Sequence, residues 1–194
     1  MRKESDMRAR IVESQSIRDG RVKLWRVRMA FADGDETWRE VAHHGDSIAV
    51  LPYDAERRVA LTVSLARAPA LFRGLDGPGE EACAGMIDEG ETPQQTTCRE
   101  AMEEMGLRLD SLEPIGCTWP SPGVSAEQAF LFLAPYGPAA RIAAGGGAPG
   151  EHEHITVNEP ALADLAAKAD AGAIGDLCLL ALVQSLRLKR PELF

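Results

Sequence analysis

The stretch that decides how this chain is read is Gly85-Met86-Ile87-Asp88-Glu89-Gly90-Glu91-Thr92-Pro93-Gln94-Gln95-Thr96-Thr97-Cys98-Arg99-Glu100-Ala101-Met102-Glu103-Glu104-Met105-Gly106-Leu107. Its second half predicts a helix with sharp ends. Thr92 is a good N-cap, Pro93 suits the first helical position, and Gln95 completes a Thr-x-x-Gln capping box. Gly106 is placed to end the helix in a left-handed conformation. On such a helix Glu100 and Glu104 are an i,i+4 pair on one face, with Glu103 beside them, so three carboxylates crowd one patch. That crowding costs repulsion unless a cation lies among them, and hard oxygen ligands with positions left for water and phosphate suit Mg²⁺ or Mn²⁺. Arg99 and Glu103 are also i,i+4, which makes Arg99 a residue that orients a carboxylate rather than one that binds substrate. A solvated acidic helix face explains any single glutamate here equally well. It does not explain the glycine at 85, Glu91 and the capped helix together.

Upstream, residues 8–13, 21–30, 36–42, 47–51 and 59–65 read as strands, separated by turn signals at Asp19-Gly20, Asp33-Gly34, His44-Gly45-Asp46 and Pro52-Tyr53-Asp54. In Val22-Lys23-Leu24-Trp25-Arg26-Val27-Arg28-Met29 apolar residues alternate with basic ones, the period of a strand with one wet face. Residues 73–80, with three glycines and Pro78, read as a loop feeding the apolar Ala82-Cys83-Ala84. Downstream, strands are expected at 112–118, 128–134 and 154–157, with a glycine-rich loop at 143–150, and helices at 160–171 and 176–189. A mixed sheet with one central helix and further helices behind it implies an α/β sandwich.

The bulk numbers set limits. A chain of 194 residues holds one well-buried domain with a small N-terminal addition, and 45 % hydrophobic with 26 % charged residues is an ordinary globular composition. A net charge of -9 without any Lys/Arg cluster argues against nucleic-acid binding. Acidic side chains still bind a phosphorylated small molecule indirectly, through a cation. Cys83, Cys98, Cys117 and Cys178 form no CxxC pair, which suggests neither zinc nor a redox motif. The start of the chain is charged and the longest apolar run, 177–183, is too short to span a bilayer, so a cytoplasmic protein without a membrane partner is expected.

The quoted stretch resembles the Nudix signature, Gly-x5-Glu-x7-Arg-Glu-aliphatic-x-Glu-Glu-x-Gly-aliphatic, without a departure. At usual residue frequencies seven fixed positions coincide by chance on the order of 10⁻⁹ per start site. The resemblance implies an α/β/α sandwich with a mixed sheet and a metal-dependent attack of water on a diphosphate. It implies that Glu100 and Glu104 are the principal metal ligands, that Glu103 assists, and that the backbone carbonyl of Ala84 completes the shell. Gly85, Glu91, Arg99 and Gly106 are then the structural members of the box. On the order of two or three Mg²⁺ ions per site, with Mn²⁺ an alternative, is the expected cofactor load.

Three features outside the box are similar to the ADP-ribose and GDP-mannose pyrophosphatase branch. Ser121-Pro122-Gly123-Val124-Ser125-Ala126-Glu127 looks like its Ser-Pro-Gly-x-x-x-Glu loop and makes Pro122, Gly123 and Glu127 candidates for substrate binding. Gly145 to Ile155 resembles its mobile loop and the strand after it, which gives Glu151 as the candidate base and Glu153 as backup or ligand. Arg67-Ala68-Pro69 stands where the branch carries a phosphate-clamping arginine, although the Gln-Phe that usually precedes it is Leu65-Ala66 here; Glu81 stands where a glutamate often precedes Ala-Gly. His43-His44-Gly45 resembles a family turn and reads as structural.

The branch implies a homodimer that exchanges its N-terminal strands, with residues 1–45 as a β-rich dimerisation region and 46–194 as the Nudix domain. The expected reaction is hydrolysis of a nucleoside diphosphate sugar, with ADP-ribose giving AMP and ribose 5-phosphate as the first expectation and GDP-mannose or another nucleotide sugar as the alternative. A domain that only senses ADP-ribose is a third reading, disfavoured because every box carboxylate is present. Trp25 or Trp38 would suit stacking on a base as well as interface packing.

Overall fold

The structure is a computed structural model and describes residues 9–148, 150 and 154–194. The chain divides into two compact units. One takes the chain up to Gly45 together with Trp119–Gln128, and the other comprises Asp46–Thr118 and Ala129–Phe194.

In the first unit β1 (Ala9–Arg18), β2 (Lys23–Phe31) and β3 (Glu36–His43) form an antiparallel sheet in chain order. The Asp33-Gly34 signal works as expected: Gly34 has φ 93°, Asp33 accepts the Asp35 N–H, and the Phe31 N–H donates to the Asp35 carbonyl. Charge pairs link the three strands: Arg28 of β2 meets Glu13, its opposite number on β1, at 3.0 Å and Glu36 of β3 at 2.7 Å. Residues 121–127 belong to this unit and run beside the end of β3, where Ala42 donates to the Val124 carbonyl and accepts from the Ala126 N–H.

The second unit is built on β4 (Ser47–Asp54), buried along its length after Ser47. β4 pairs in parallel with β9 (Ala129–Pro135), which pairs with the antiparallel β8 (Glu113–Thr118). Its other edge carries β7 (Cys83–Met86) against Ser47 to Val50 and the short β5 (Val59–Ala60) against Tyr53 and Asp54. A separate ribbon joins β6 (Thr62–Ser64) to β10 (Thr156–Asn158). Alternation along the central strands gives each face its own core. Ile48, Val50 and Phe132 pack with Ala101, Met105 and Leu107 around the helix α2 (Pro93–Met105). Ala49, Leu51, Leu131 and Leu133 pack with α3 (Leu162–Asp170) and α4 (Leu177–Lys189). This is the expected mixed α/β arrangement, a sheet with helices on both faces.

Two local readings need correction, and one element is new. Pro52-Tyr53-Asp54 is the last part of β4, not a turn; the chain reverses after Asp54, whose buried carboxylate accepts the N–H groups of Glu56 and Arg57. The strand expected over 59–65 is broken at Leu61, whose N–H turns back to the Pro52 carbonyl while β6 leaves to pair with β10. A single helical turn, α1 (Ala68–Phe72), stands between the strand expected to end at 65 and the loop expected from 73, a span to which the sequence assigns no element.

Candidate active site

The box occupies β7, the loop after it and α2. Helix α2 has the predicted ends: Thr92 Oγ1 accepts the Gln95 N–H, Gln95 Oε1 accepts the Thr92 N–H at 2.8 Å, and Gly106 closes the helix at φ 64°. The cap fixes where the helix starts and hence which way its carboxylates face. They face β7, where a Cβ on residue 85 would fall on the Glu100 carboxylate as it is now placed. Gly85 thus suits a close approach, not an unusual backbone angle.

Arg99 organises the loop. Its Nε and Nη2 reach Glu91 at 3.0 to 3.3 Å, Nη1 reaches Glu100 Oε1 at 2.8 Å and Glu103 Oε2 at 3.1 Å, and Nη2 also donates to the Met86 carbonyl at 3.2 Å. These carboxylates, Glu91 foremost, push the guanidinium still further up from its ordinary value. In return Arg99, helped by the Thr96 hydroxyl at 2.7 Å, holds the Glu91 carboxyl below the usual carboxylate range. The expected i,i+4 pair with Glu103 is present, and Glu91 is the arginine's main partner.

Glu104 is 4 % exposed and accepts the Ala84 N–H on Oε2 at 3.3 Å. The buried Cys83 lies beside it, its thiol pushed up first by burial and then by the neighbouring Glu104. Among the described residues, no three His, Cys, Asp or Glu side chains gather as a metal-holding group. Arg99 instead draws Glu100 and Glu103 to itself, while Glu104 turns to the strand. The donor chemistry nonetheless suits a hard divalent cation: Glu100 and Glu104 are carboxylates at the same strand as the Ala84 carbonyl, and a buried carboxylate such as Glu104 is stabilised by a positive partner.

Arg67 and Glu81, predicted separately, meet as a two-pronged pair, with Nε 3.0 Å and Nη2 2.7 Å from Glu81 Oε2. Glu81 is buried and its backbone pairs with Val63, whereas Arg67 is partly exposed. Pro122, Gly123 and Glu127 lie in the first unit. Pro122 and Gly123 form a turn in which the Ser125 N–H donates to the Ser121 carbonyl at 2.8 Å, and Glu127 meets His44 Nε2 at 3.3 Å. Gly123 has no positive φ and open space at its Cβ, so the turn itself does not require glycine. Glu151 and Glu153 lie outside the described residues.

Two contacts escape sequence reasoning. Asp176 caps α4 by accepting the Cys178 and Leu179 N–H groups, and the same carboxylate accepts the Ala82 N–H at 3.1 Å, tying the chain that enters β7 to the opposite helix layer. The capping role is legible from an Asp before an apolar run, but the long-range partner is not. The other contact is the seat of the triple glycine, which is not a free loop: the Gly146 and Gly147 N–H groups donate to the carbonyls of Glu104 and Glu103.

Comparison with known proteins agrees with this architecture. The model of the NUDIX domain matches residues 43–176. A GDP-mannose pyrophosphatase of Cronobacter sakazakii is 36 % identical over 152 residues, covering 78 % of each chain. The GDP-mannose pyrophosphatase of Yersinia pestis is 32 % identical over 139 residues, 71 % of this chain and 69 % of its own. That of Pectobacterium atrosepticum is likewise 32 % identical over 139 residues, 71 % and 70 % of the two chains. With the complete signature folded as one strand, loop and capped helix, the chain belongs to the Nudix family of pyrophosphohydrolases.

Proposed function

We propose that this protein hydrolyses the pyrophosphate bond of a nucleoside diphosphate sugar, with GDP-mannose as its first substrate, releasing GMP and mannose 1-phosphate. The observation that carries the reading is the intact box on β7 and α2, with Glu100 and Glu104 directed at the Ala84–Gly85 strand. The names of the relatives support the choice of GDP-mannose over ADP-ribose, which the sequence alone puts first. ADP-ribose stays as a second reading, because the Ser121 to Glu127 loop looks like that of both the ADP-ribose and the GDP-mannose pyrophosphatases and does not separate them.

In this reading Glu100, Glu104 and the Ala84 carbonyl hold divalent cations, Mg²⁺ or Mn²⁺, and Glu103 assists. A divalent cation held there would supply positive charge to oppose that of the diphosphate. The chain's own groups do the rest. Arg99 gathers and orients the box carboxylates Glu91, Glu100 and Glu103. Arg67, held by Glu81, offers guanidinium donors to a phosphate. Glu151, with Glu153 as backup, takes the proton of the attacking water, as the family resemblance implies. Pro122, Gly123 and Glu127 contact the substrate, and the β1–β3 unit pairs with that of a second copy in a homodimer. Among the described residues no helix is long and apolar enough to cross a membrane.

The test is a panel assay with Mg²⁺ and GDP-mannose, ADP-ribose, UDP-glucose, NADH and diadenosine polyphosphates, ranking initial rates. The expected outcome is that GDP-mannose turns over fastest. A clear preference for ADP-ribose would move the second reading to first place, and no hydrolysis of any nucleotide sugar would overturn both.

A further inference from the structure

The glycines at 145–147 look in sequence like the pliable part of a loop. We infer that Gly145 is instead a positioning residue, which seats residues 142–147 as a clamp on the last turn of α2 and so holds Glu103 and Glu104 in place. This rests on the reading of Glu104 as a ligand of the catalytic cation.

The last carbonyls of a helix have no partner within it. Here Gly106 N–H takes the Met102 carbonyl and Leu107 N–H takes that of Ala101, each at 3.0 Å. Those of Glu103 and Glu104 are met from outside, by the Gly147 N–H at 3.0 Å and the Gly146 N–H at 2.8 Å. The contact is reciprocal, because the Gly106 carbonyl accepts the Ile142 and Ala143 N–H groups at 2.9 and 3.2 Å. The two backbones lie so close that neither Gly106 nor Gly145 has room for a side chain. A Cβ on Gly145 would fall on the Glu104 carbonyl, and one on Gly106 would fall on that of Ala143, with φ at 74° and 64°.

Other glycines show that this is not a general property of left-handed positions. Gly146, with φ 115°, and Gly172 after α3, with φ 66°, have nothing within 4 Å of a Cβ. Gly172→Ala therefore carries the backbone strain of Gly145→Ala without the collision, which makes it a matched control. The residues whose carbonyls the clamp takes are the ones whose side chains the chemistry needs. Pushing the Gly145 backbone off Glu104 shifts the final turn, and with it a carboxylate packed against Ala84.

Amide hydrogen exchange on the wild-type protein, without cation or substrate, tests the clamp directly. Gly146 and Gly147 are expected to exchange as slowly as the amides of the final turn of α2; exchange at the rate of an open loop overturns the proposal. This result is independent of which substrate is cleaved, so it separates failure of the clamp from failure of the functional reading. Kinetics of folded variants then test the consequence. Gly145→Ala is expected to lower kcat about 100-fold and to raise the Mn²⁺ requirement about 10-fold with little change in KM, whereas Gly172→Ala stays within about 3-fold of wild type. Equal activity losses in the two variants overturn it, and if Gly145→Ala does not fold, the exchange result decides.

Discussion

Arg99 binds Glu91 through both Nε and Nη2, at 3.1 and 3.0 Å, and so ties the loop after β7 to the middle of α2 while its remaining nitrogen holds Glu100 and Glu103. A lysine has one charged nitrogen and cannot serve three carboxylates in that fan. Arg99→Lys is therefore expected to keep the fold and lower kcat by about 10- to 100-fold with a smaller change in KM, as for loss of orientation. Steady-state kinetics beside a thermal melt check it; wild-type kcat in a folded Arg99→Lys protein would remove Arg99 from the positioning machinery.

Glycine at 85 gives a second prediction. A methyl group there competes with the Glu100 carboxylate for one space. The carboxylate is at the end of a flexible side chain and gives way before the strand does. Gly85→Ala should thus cost little stability and about 100-fold in kcat, with a raised cation requirement. Cation titrations of activity, with unfolding curves alongside, separate these effects, and a melt lowered as severely as the activity would show that the strand yielded instead.

What was legible in the sequence is local chemistry. Thr92, Pro93, Gln95 and Gly106 set the ends of α2 because capping involves neighbours in the chain, and the i,i+4 pairing of Arg99 with Glu103 follows from helix geometry. The misreadings occur where tertiary context outweighs local preference. Pro52 reads as a turn residue but sits in the buried β4, and its carbonyl serves Leu61. Gly145 to Gly147 read as a pliable loop because their partners, the carbonyls of Glu103 and Glu104, belong to a distant element. Arg67 and Glu81 were each visible as candidates; that they form one bidentate pair depends on the Val63 pairing that brings Glu81 across.

Asp176 supplies a prediction about stability alone. One carboxylate serves the N-terminus of α4 and the N–H of the buried Ala82. Asp176→Ala removes the cap and leaves that N–H without this acceptor, for a combined loss of about 2 kcal/mol. In a chain of this size this is a drop of roughly 4 to 8 °C in Tm. Asp176→Asn keeps an acceptor oxygen and should recover part of the loss. Equal melts for Asp176→Ala and wild type would show that the two hydrogen bonds do not contribute.

The acid limb of stability follows from carboxylates whose pKa values are depressed by arginine. Burial works to raise Asp54, but the Arg57 N–H, the Arg57 guanidinium at 2.7 Å and the Glu56 N–H outweigh it and bring it below its ordinary value. Glu159 is lowered by the same guanidinium, against burial, with help from the Tyr136 hydroxyl at 2.8 Å. A carboxylate with a depressed folded-state pKa stabilises the protein above its unfolded value, about 3.9 for Asp and 4.3 for Glu. That contribution fades as the pH falls through the lower folded values. Stability should therefore be nearly level from about pH 7 to 5 and drop steeply below about 4. Arg57→Met removes the shared partner of both carboxylates; it is expected to lower stability at neutral pH and to flatten the acid limb, because the folded values return toward the unfolded ones. Urea unfolding at a series of pH values measures both limbs, and curves that run parallel for wild type and Arg57→Met would show that the Asp54, Arg57 and Glu159 cluster does not set the acid response.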